Sequence, residues 1–436
     1  MKKFLLVVFV LSFITGAGGG LQAGETDALI KKLIDKGIIT KEEAAEIQKE
    51  EQKAEEKSQE KIVKEIQDKG LAVPEALKGV KVGILGYVDF SYGDSPEFDH
   101  GESDLNKFRL TRGYLTVEKE ILPWFGARVT LDTYQDTEDT DESYKMRLKY
   151  YYAQFKAPNL GFLTGMKSEV GMGHMPWLDF EENINPYRCQ GTMAIERAGV
   201  FNSSDLGVSL MGDLGGRIKD SRLIIGDDHY DGRYGTWHLG VYNGSGYHES
   251  EDNNNKVIEG RLSLRPVPDI IPGLQLSYFG LRGDGNDDST GEWPEYNVNL
   301  GMLSYQNPWV IFTGQCFTSE GNAKGKWVDA LGHALDTKGY SAFGNVKLPV
   351  LDKKIALFAR YDHFDQDDDG LIAGDADYDM YMGGIAYDIY KGNMILLTYE
   401  TTDYGRDAGK KGSVPDVTKT NLGDDKRIQA VLQVKY

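Results

Sequence analysis

The last ten residues, Arg427 to Tyr436, alternate. Ile428, Ala430, Leu432, Val434 and Tyr436 share one parity; Arg427, Gln429, Gln433 and Lys435 take the other, with Val431 the exception. Successive side chains of a strand point to opposite faces, so this is a strand with one oily face that finishes on an aromatic. Two folds accommodate it: the edge of a soluble β-sandwich, or the closing strand of a barrel whose outer face meets lipid. The rest of the chain favours the barrel.

Lys2 and Lys3 precede an apolar run, Phe4 to Leu11, and Leu21-Gln22-Ala23 fits a cleavage site, so residues 1–23 read as a secretory signal peptide. The run falls short of the ~20 residues a spanning helix needs. No other stretch could cross as a helix, so a membrane-embedded chain would cross as strands, because only helices and closed barrels satisfy their backbone in lipid. The 25 Tyr and 52 Gly suit barrel rims, lumen and tight turns. A formal charge of −19, or −21 without Lys2 and Lys3, argues against a nucleic-acid partner. Cys189 and Cys316 leave a disulfide open.

Residues 24–78 are rich in Lys, Glu, Gln and Ala. Thr40-Lys41-Glu42-Glu43 forms a capping box, and Ala44, Ile47, Ala54, Ser58, Ile62 and Ile66 trace a thin apolar seam. The segment reads as a periplasmic coiled coil, with a solvated helix or charged linker as the alternative. From Val80 the pattern switches to period 2. Val82, Ile84, Val88, Phe90 and Tyr92 face one way, towards lipid; Lys81, Tyr87, Asp89 and Ser91 face the other, towards water. Comparable segments recur at 107–119, 124–135, 145–157, 160–167, 206–214, 234–243, 256–265, 273–283, 296–306, 309–319, 339–348, 353–364, 377–389, 393–403 and 426–436. This predicts an all-β, antiparallel transmembrane barrel of about 16 strands over residues 79–436. Short turns alternate with long acidic loops, as an up-and-down barrel requires. The link 215–233 breaks the rule, and a hidden hairpin there would raise the count to 18.

Several segments, in order, resemble the phosphate-selective porin O/P family of outer-membrane barrels. They are Phe108-Arg109-Leu110-Thr111-Arg112-Gly113-Tyr114-Leu115; Thr164-Gly165-Met166-Lys167 with the later Ala194-Ile195-Glu196-Arg197; Val241-Tyr242-Asn243-Gly244-Ser245-Gly246; Gly260-Arg261-Leu262-Ser263-Leu264-Arg265-Pro266; and Arg360-Tyr361-Asp362-His363-Phe364-Asp365. The resemblance implies a homotrimer of 16-stranded pores in the outer membrane of a Gram-negative bacterium, with the third loop folded into each channel.

On this reading the protein is a porin for passive diffusion of small hydrophilic solutes or ions. The longest loop, 168–205, is the expected constriction. Lys167, Glu169, Asp179, Arg188, Glu196 and Arg197 are its candidate selectivity residues, Arg197 as an anion contact and Glu196 as a tether to the wall; a plain salt bridge is the alternative. Arg109, Arg112, Arg147, Lys149, Arg261, Arg265 and Arg360 fall in expected strands and should face the lumen, since Arg facing lipid at mid-membrane costs ~2–4 kcal/mol. Arg109 and Arg112 have opposite parity, so one of them needs a rim or a bulge. The acidic balance of the chain speaks against phosphate selectivity. Asp365, Asp367 and Asp369 are a loose divalent-cation candidate, bridging to lipopolysaccharide, against a plain solvated loop. No catalytic motif is present, so no enzyme activity and no cofactor are expected. A structural barrel is the rival: a sheath around a partner such as a cytochrome, or a cell-wall tether. An outer-membrane hydrolase would need a triad not visible in the sequence.

Overall fold

The computed structural model describes residues 77–135, 143–287, 291, 293–416 and 418–436. The expected signal peptide, nearly all of the helical segment 24–78 and most of the loop after residue 135 lie outside the described residues.

From Val80 the chain forms sixteen strands. They are β1 (Val80–Pro96), β2 (Glu102–Leu122), β3 (Phe125–Gln135), β4 (Tyr144–Lys156), β5 (Leu163–His174), β6 (Ser204–Leu214), β7 (Gly235–Tyr242) and β8 (Val257–Leu264). The second half is β9 (Leu274–Asp284), β10 (Glu295–Gln306), β11 (Val310–Glu320), β12 (Asp336–Lys347), β13 (Ile355–Asp365), β14 (Asp377–Tyr390), β15 (Asn393–Tyr404) and β16 (Asp425–Lys435). Each pairs antiparallel with its sequence neighbours, and β1 pairs with β16, so the sheet closes on itself. Closure leaves no open strand edge for lipid to meet. The oily C-terminal strand makes the seam: Ile84 and Tyr436 exchange backbone hydrogen bonds of 3.2 and 3.0 Å.

The alternation read from the sequence is the alternation of the wall. Val82, Ile84, Val88 and Tyr92 are exposed on the outside, whereas Tyr87, Asp89 and Ser91 are buried inside. Trp124, Phe162, Trp309, Tyr390 and Tyr436 stand exposed near the end where β1 begins and β16 ends; Tyr92, Phe108, Tyr144, Tyr340 and Tyr381 stand exposed towards the other end. Two such aromatic bands with an apolar zone between them match the interfaces of a bilayer.

Three expectations needed correction. β1 and β2 extend across most of the expected loop 93–106 and leave a five-residue link, 97–101. β5 continues to His174, so the long link is 175–203, and Lys167 and Glu169 belong to the barrel wall. The glycines that read as loop are strand positions: Gly171 has φ +126°, and a Cβ there would strike the backbone of Tyr151. The link 215–234 holds no extra hairpin. It contains one short helix and the isolated bridge Arg217↔Gly232, so the described residues make sixteen strands and not eighteen.

The parity conflict of Arg109 and Arg112 is resolved by a bulge. Tyr87 opposes Arg112 and Val88 opposes Leu110, leaving Thr111 as the extra residue and turning both arginines inward. A second bulge lies on the same stretch of wall. Thr130 opposes Tyr150 and Leu131 opposes Leu148, which leaves Lys149 as the extra residue. Cys189, buried in the long link, and Cys316, exposed on β11, are both free.

The interior is divided. On β9–β14 the inward side chains are largely apolar and include Phe279, Val298, Phe317, Phe358 and Met380. The link 175–203 carries α1 (Leu178–Ile184) and α2 (Ala194–Arg197) and packs on that half. Trp177, Leu178, Phe180 and Ile195 are fully buried there. Each such side chain contributes ~1.5–3 kcal/mol of burial, so the link is a docked plug with a core of its own. The opposite half, β1–β4 with β15 and β16, keeps polar inward residues and carries the open path.

Candidate functional site

The plug narrows the barrel to one side. Two cavities flank it, about 610 Å³ towards the end where β1 begins and β16 ends and about 350 Å³ towards the end with the long links. Tyr114, Lys149 and Glu182 line the first; Tyr87, Arg112 and Arg188 line the second. The bulged wall of β1–β4 and the plug segment Glu182–Arg188 thus face each other where the two cavities approach.

Three ion-paired groups along the open wall share a sense, whereas Arg128 and Glu118, at the mouth of the larger cavity, have the reverse one, their side chains 25% and 43% exposed. Asp89 accepts two hydrogen bonds from Arg109; its side chain is fully covered, while that of Arg109 is 26% exposed. Asp132 and Arg147 form the same arrangement, at 4% and 27%. Glu400 is covered, while Arg427 and Lys411, which both bind it, remain partly exposed. The carboxylates sit behind and the cationic tips face the lumen. On the plug the sense reverses: Arg188 bridges Glu182 at 2.8 Å and Glu196 at 2.9 Å, and Glu182 is the more exposed partner. Taken together, the two cavities are lined by twelve Lys and Arg side chains and six carboxylate side chains.

The expected constriction residues divide into two groups. Asp179, Arg188 and Glu196 are on the plug near where the two cavities approach, and Glu196 lies 4.0 Å from Arg112 of the wall. Arg197 is not an open anion contact. It is buried against Glu400 at 3.1 Å and tethers the plug, the part expected of Glu196. Any side chain at Gly191 would occupy the place of its guanidinium. Lys167 lines the larger cavity from β5, and Glu169 is buried in the wall, 2.9 Å from His174 Nδ1.

The wall cations also divide. Arg109, Arg112, Arg147 and Lys149 belong to the open half. Arg261 and Arg360 hold the plug, donating to the carbonyls of Pro176 (2.8 Å) and Thr192 (2.7 Å). Arg265 lies just past β8 and donates to the carbonyls of Gly232, Tyr230 and Pro272, so it fixes the link 215–234 and does not face the pore. That link is long because it supports the plug from below: Tyr230 donates to Asp179 and meets the ring of Phe180 edge-on. Asp367 spends its carboxylate on the backbone N–H groups of Leu371, Ile372 and Ala373. The carboxylates of Asp365, Asp367 and Asp369 do not converge as a ligand group; His363, Asp377 and Asp379 do, at the ends of β13 and β14.

The site also takes in Glu400, Lys411, Arg427 and Glu181, none of which stood among the candidate site residues. Parity already set Arg427 on the polar face of the last strand, and it could have placed Glu400 inside too, since Leu396, Thr398, Glu400 and Thr402 share the inward face of β15. Glu181 on α1 accepts from Trp177 Nε1 and Gln315 Nε2, each at 2.7 Å, and faces the charges of Arg360 and Asp362. Burial raises its pKa from 4.5 to about 7, against the pull of Arg360. The docked plug thus favours the protonated carboxyl, and docking is tightest below the ordinary carboxyl range. It weakens as pH rises to about 7, by about 3 kcal/mol in all, and is constant above. Open-channel noise from plug motion is expected to grow between pH 4.5 and 7. Glu181→Gln should flatten that trend, and a trend unchanged in the variant would refute the assignment.

No protein-family model matches the chain, and no curated protein sequence matches it. Solved structures do. The anion-selective porin from Comamonas acidovorans is 9% identical, with 82% of this chain and 98% of that one covered at a TM-score of 0.52. Salmonella typhi OmpF in complex with daunomycin is 10% identical, with 82% and 97% covered at a TM-score of 0.52. At these identities the likeness is one of fold: a closed antiparallel barrel spanning nearly the whole of each neighbour.

Proposed function

We propose that the protein is an outer-membrane porin, a water-filled channel for passive diffusion of small hydrophilic solutes, with a preference for anions. The observation that carries the preference is the sense of the ion pairs at Asp89, Asp132 and Glu400, carboxylate behind and cation in front. A chain that is acidic overall thereby presents a cationic lumen, where fixed charges with low-dielectric walls bias ion entry. Acids cluster in the long links, for instance Asp367 to Asp369. Both structural neighbours named above are porins, and the first is anion-selective, which supports the reading. The docked plug supports a diffusion pore over a wide-lumen sheath. Assembly as a homotrimer, a periplasmic N-terminal segment and the kinship with phosphate-selective porins belong to the same reading.

The test is single-channel recording of the purified protein in a planar bilayer, with the reversal potential read across a KCl gradient. Discrete conductance steps with an anion-side reversal are expected. A cation-side reversal would mean that Glu182 and the link acids outweigh the wall, and absence of steps would remove the pore.

A further inference from the structure

We infer that the bulged wall at Lys149 is a seat for organic carboxylates with a flat apolar body, preferred over strongly hydrated anions such as inorganic phosphate. The inference rests on the anion-conducting pore proposed above.

Lys149 is the extra residue of the β3–β4 bulge, and bulges recur where a side chain must be re-aimed. The bulge lets Arg147, Lys149, Tyr150 and Tyr152 of one strand all turn inward. Lys149 is 3% exposed at the wall of the larger cavity. Among the described residues its hydrogen bond is to the Tyr114 hydroxyl, at 2.6 Å, and no carboxylate oxygen comes within 4.0 Å of its ammonium. Every inward arginine discussed above is held by a carboxylate or by backbone carbonyls, and so is Lys411; Lys167, less buried on the same cavity, is the other inward lysine with no carboxylate within 4.0 Å among the described residues. A buried charge without a counter-ion is costly, and a carboxylate arriving from the lumen relieves that cost.

The surroundings decide which carboxylate. The ammonium lies 4.7 Å from the Tyr114 ring centre, 5.4 Å from Tyr150 and 5.5 Å from Tyr247. The Arg112 guanidinium lies 5.2 Å from the same Tyr114 ring and bonds its hydroxyl. Two cations thus share one tyrosine within an aromatic wall. Such a wall supplies few hydrogen bonds to replace a hydration shell, which penalises phosphate, whereas a flat apolar body gains contact with the rings. Arg112 and Lys149 together supply the paired donors that a carboxylate accepts.

The experiment is block of the KCl current by sodium benzoate, sodium acetate and inorganic phosphate, each titrated on the native channel. Benzoate is expected to half-block at a concentration about tenfold below acetate and lower than phosphate. Lys149→Met should raise the benzoate value about tenfold. Tyr247→Ala, in a link outside the strands, should raise it severalfold and leave acetate unchanged. If phosphate blocks below benzoate, or if both variants leave benzoate unchanged while the native reversal stays on the anion side, the seat is overturned and the anion pore stands. A cation-side reversal of the native channel overturns both.

Discussion

Replacing Trp177 and Phe180 together with alanine is expected to open the pore, raising single-channel conductance severalfold and admitting larger solutes. Both rings are fully buried between plug and wall, and Trp177 meets Phe180 and Phe279 at ring-centre distances of 5.7 and 5.9 Å. Truncating a buried Phe or Trp to Ala costs about 3–5 kcal/mol. The cost falls on plug docking more than on the barrel, because the strands stay closed by their own ladder and the wall residues stay in place. Polar ties remain after one deletion: Arg261 to Pro176, Arg360 to Thr192, and the Tyr187 hydroxyl to Asn345 at 2.9 Å. Two deletions remove enough of the apolar core for the link to leave the lumen. Liposome swelling with sugars of increasing size, measured beside conductance, reads the change directly. An unchanged size limit in a variant that keeps its barrel circular dichroism would show that the plug does not set the aperture.

Most of the wall is legible in the sequence, because a barrel in lipid repeats one simple rule along every strand. Each of the sixteen strands stands where period 2 placed it, and errors concentrated at strand ends. The sequence pattern of β5 stops short of its end because Gly171 and Gly173 carry no side chain to mark a parity. The interior was less legible. Inward positions hold Phe and Met on one half and Arg and Tyr on the other, and no strand reveals by itself which half will receive the plug. Arg261 and Arg360 have the same pattern as Arg109, yet they meet carbonyls of the plug and not solute. Such roles depend on contacts across long sequence separations, as with Arg261 and Pro176. Bulges hide more still: nothing near Lys149 marks it as an inserted residue, and the Arg109–Arg112 conflict was visible only because both are charged.

Glu400→Gln is expected to shift the reversal potential further to the anion side and to lower the thermal stability of the channel. One covered carboxylate on β15 serves three cations, Arg197 at 3.1 Å, Lys411 at 3.1 Å and Arg427 at 3.0 Å, and also accepts from Gln190 at 2.8 Å. Arg197 and Gln190 belong to the plug and Lys411 to the link 405–424, so the same group sets local charge and ties two links to the wall. The amide keeps the shape and an acceptor oxygen but removes the charge that Arg197, Lys411 and Arg427 share, with Asp425 as the remaining carboxylate lining the smaller cavity. Removing one partner of a buried ionic network costs about 3–5 kcal/mol. The two effects separate by salt. Screening shortens to about 3 Å at 1 M, so the selectivity change should fade in concentrated KCl while the loss of stability persists. Asp425→Asn is the control, because Asp425 pairs with Lys411, at 2.8 Å, and not with the plug. It should move the reversal potential in the same direction and leave stability closer to native. A reversal potential unmoved by Glu400→Gln at low salt would mean that these cations do not face permeating ions, and the anion preference would lose its basis.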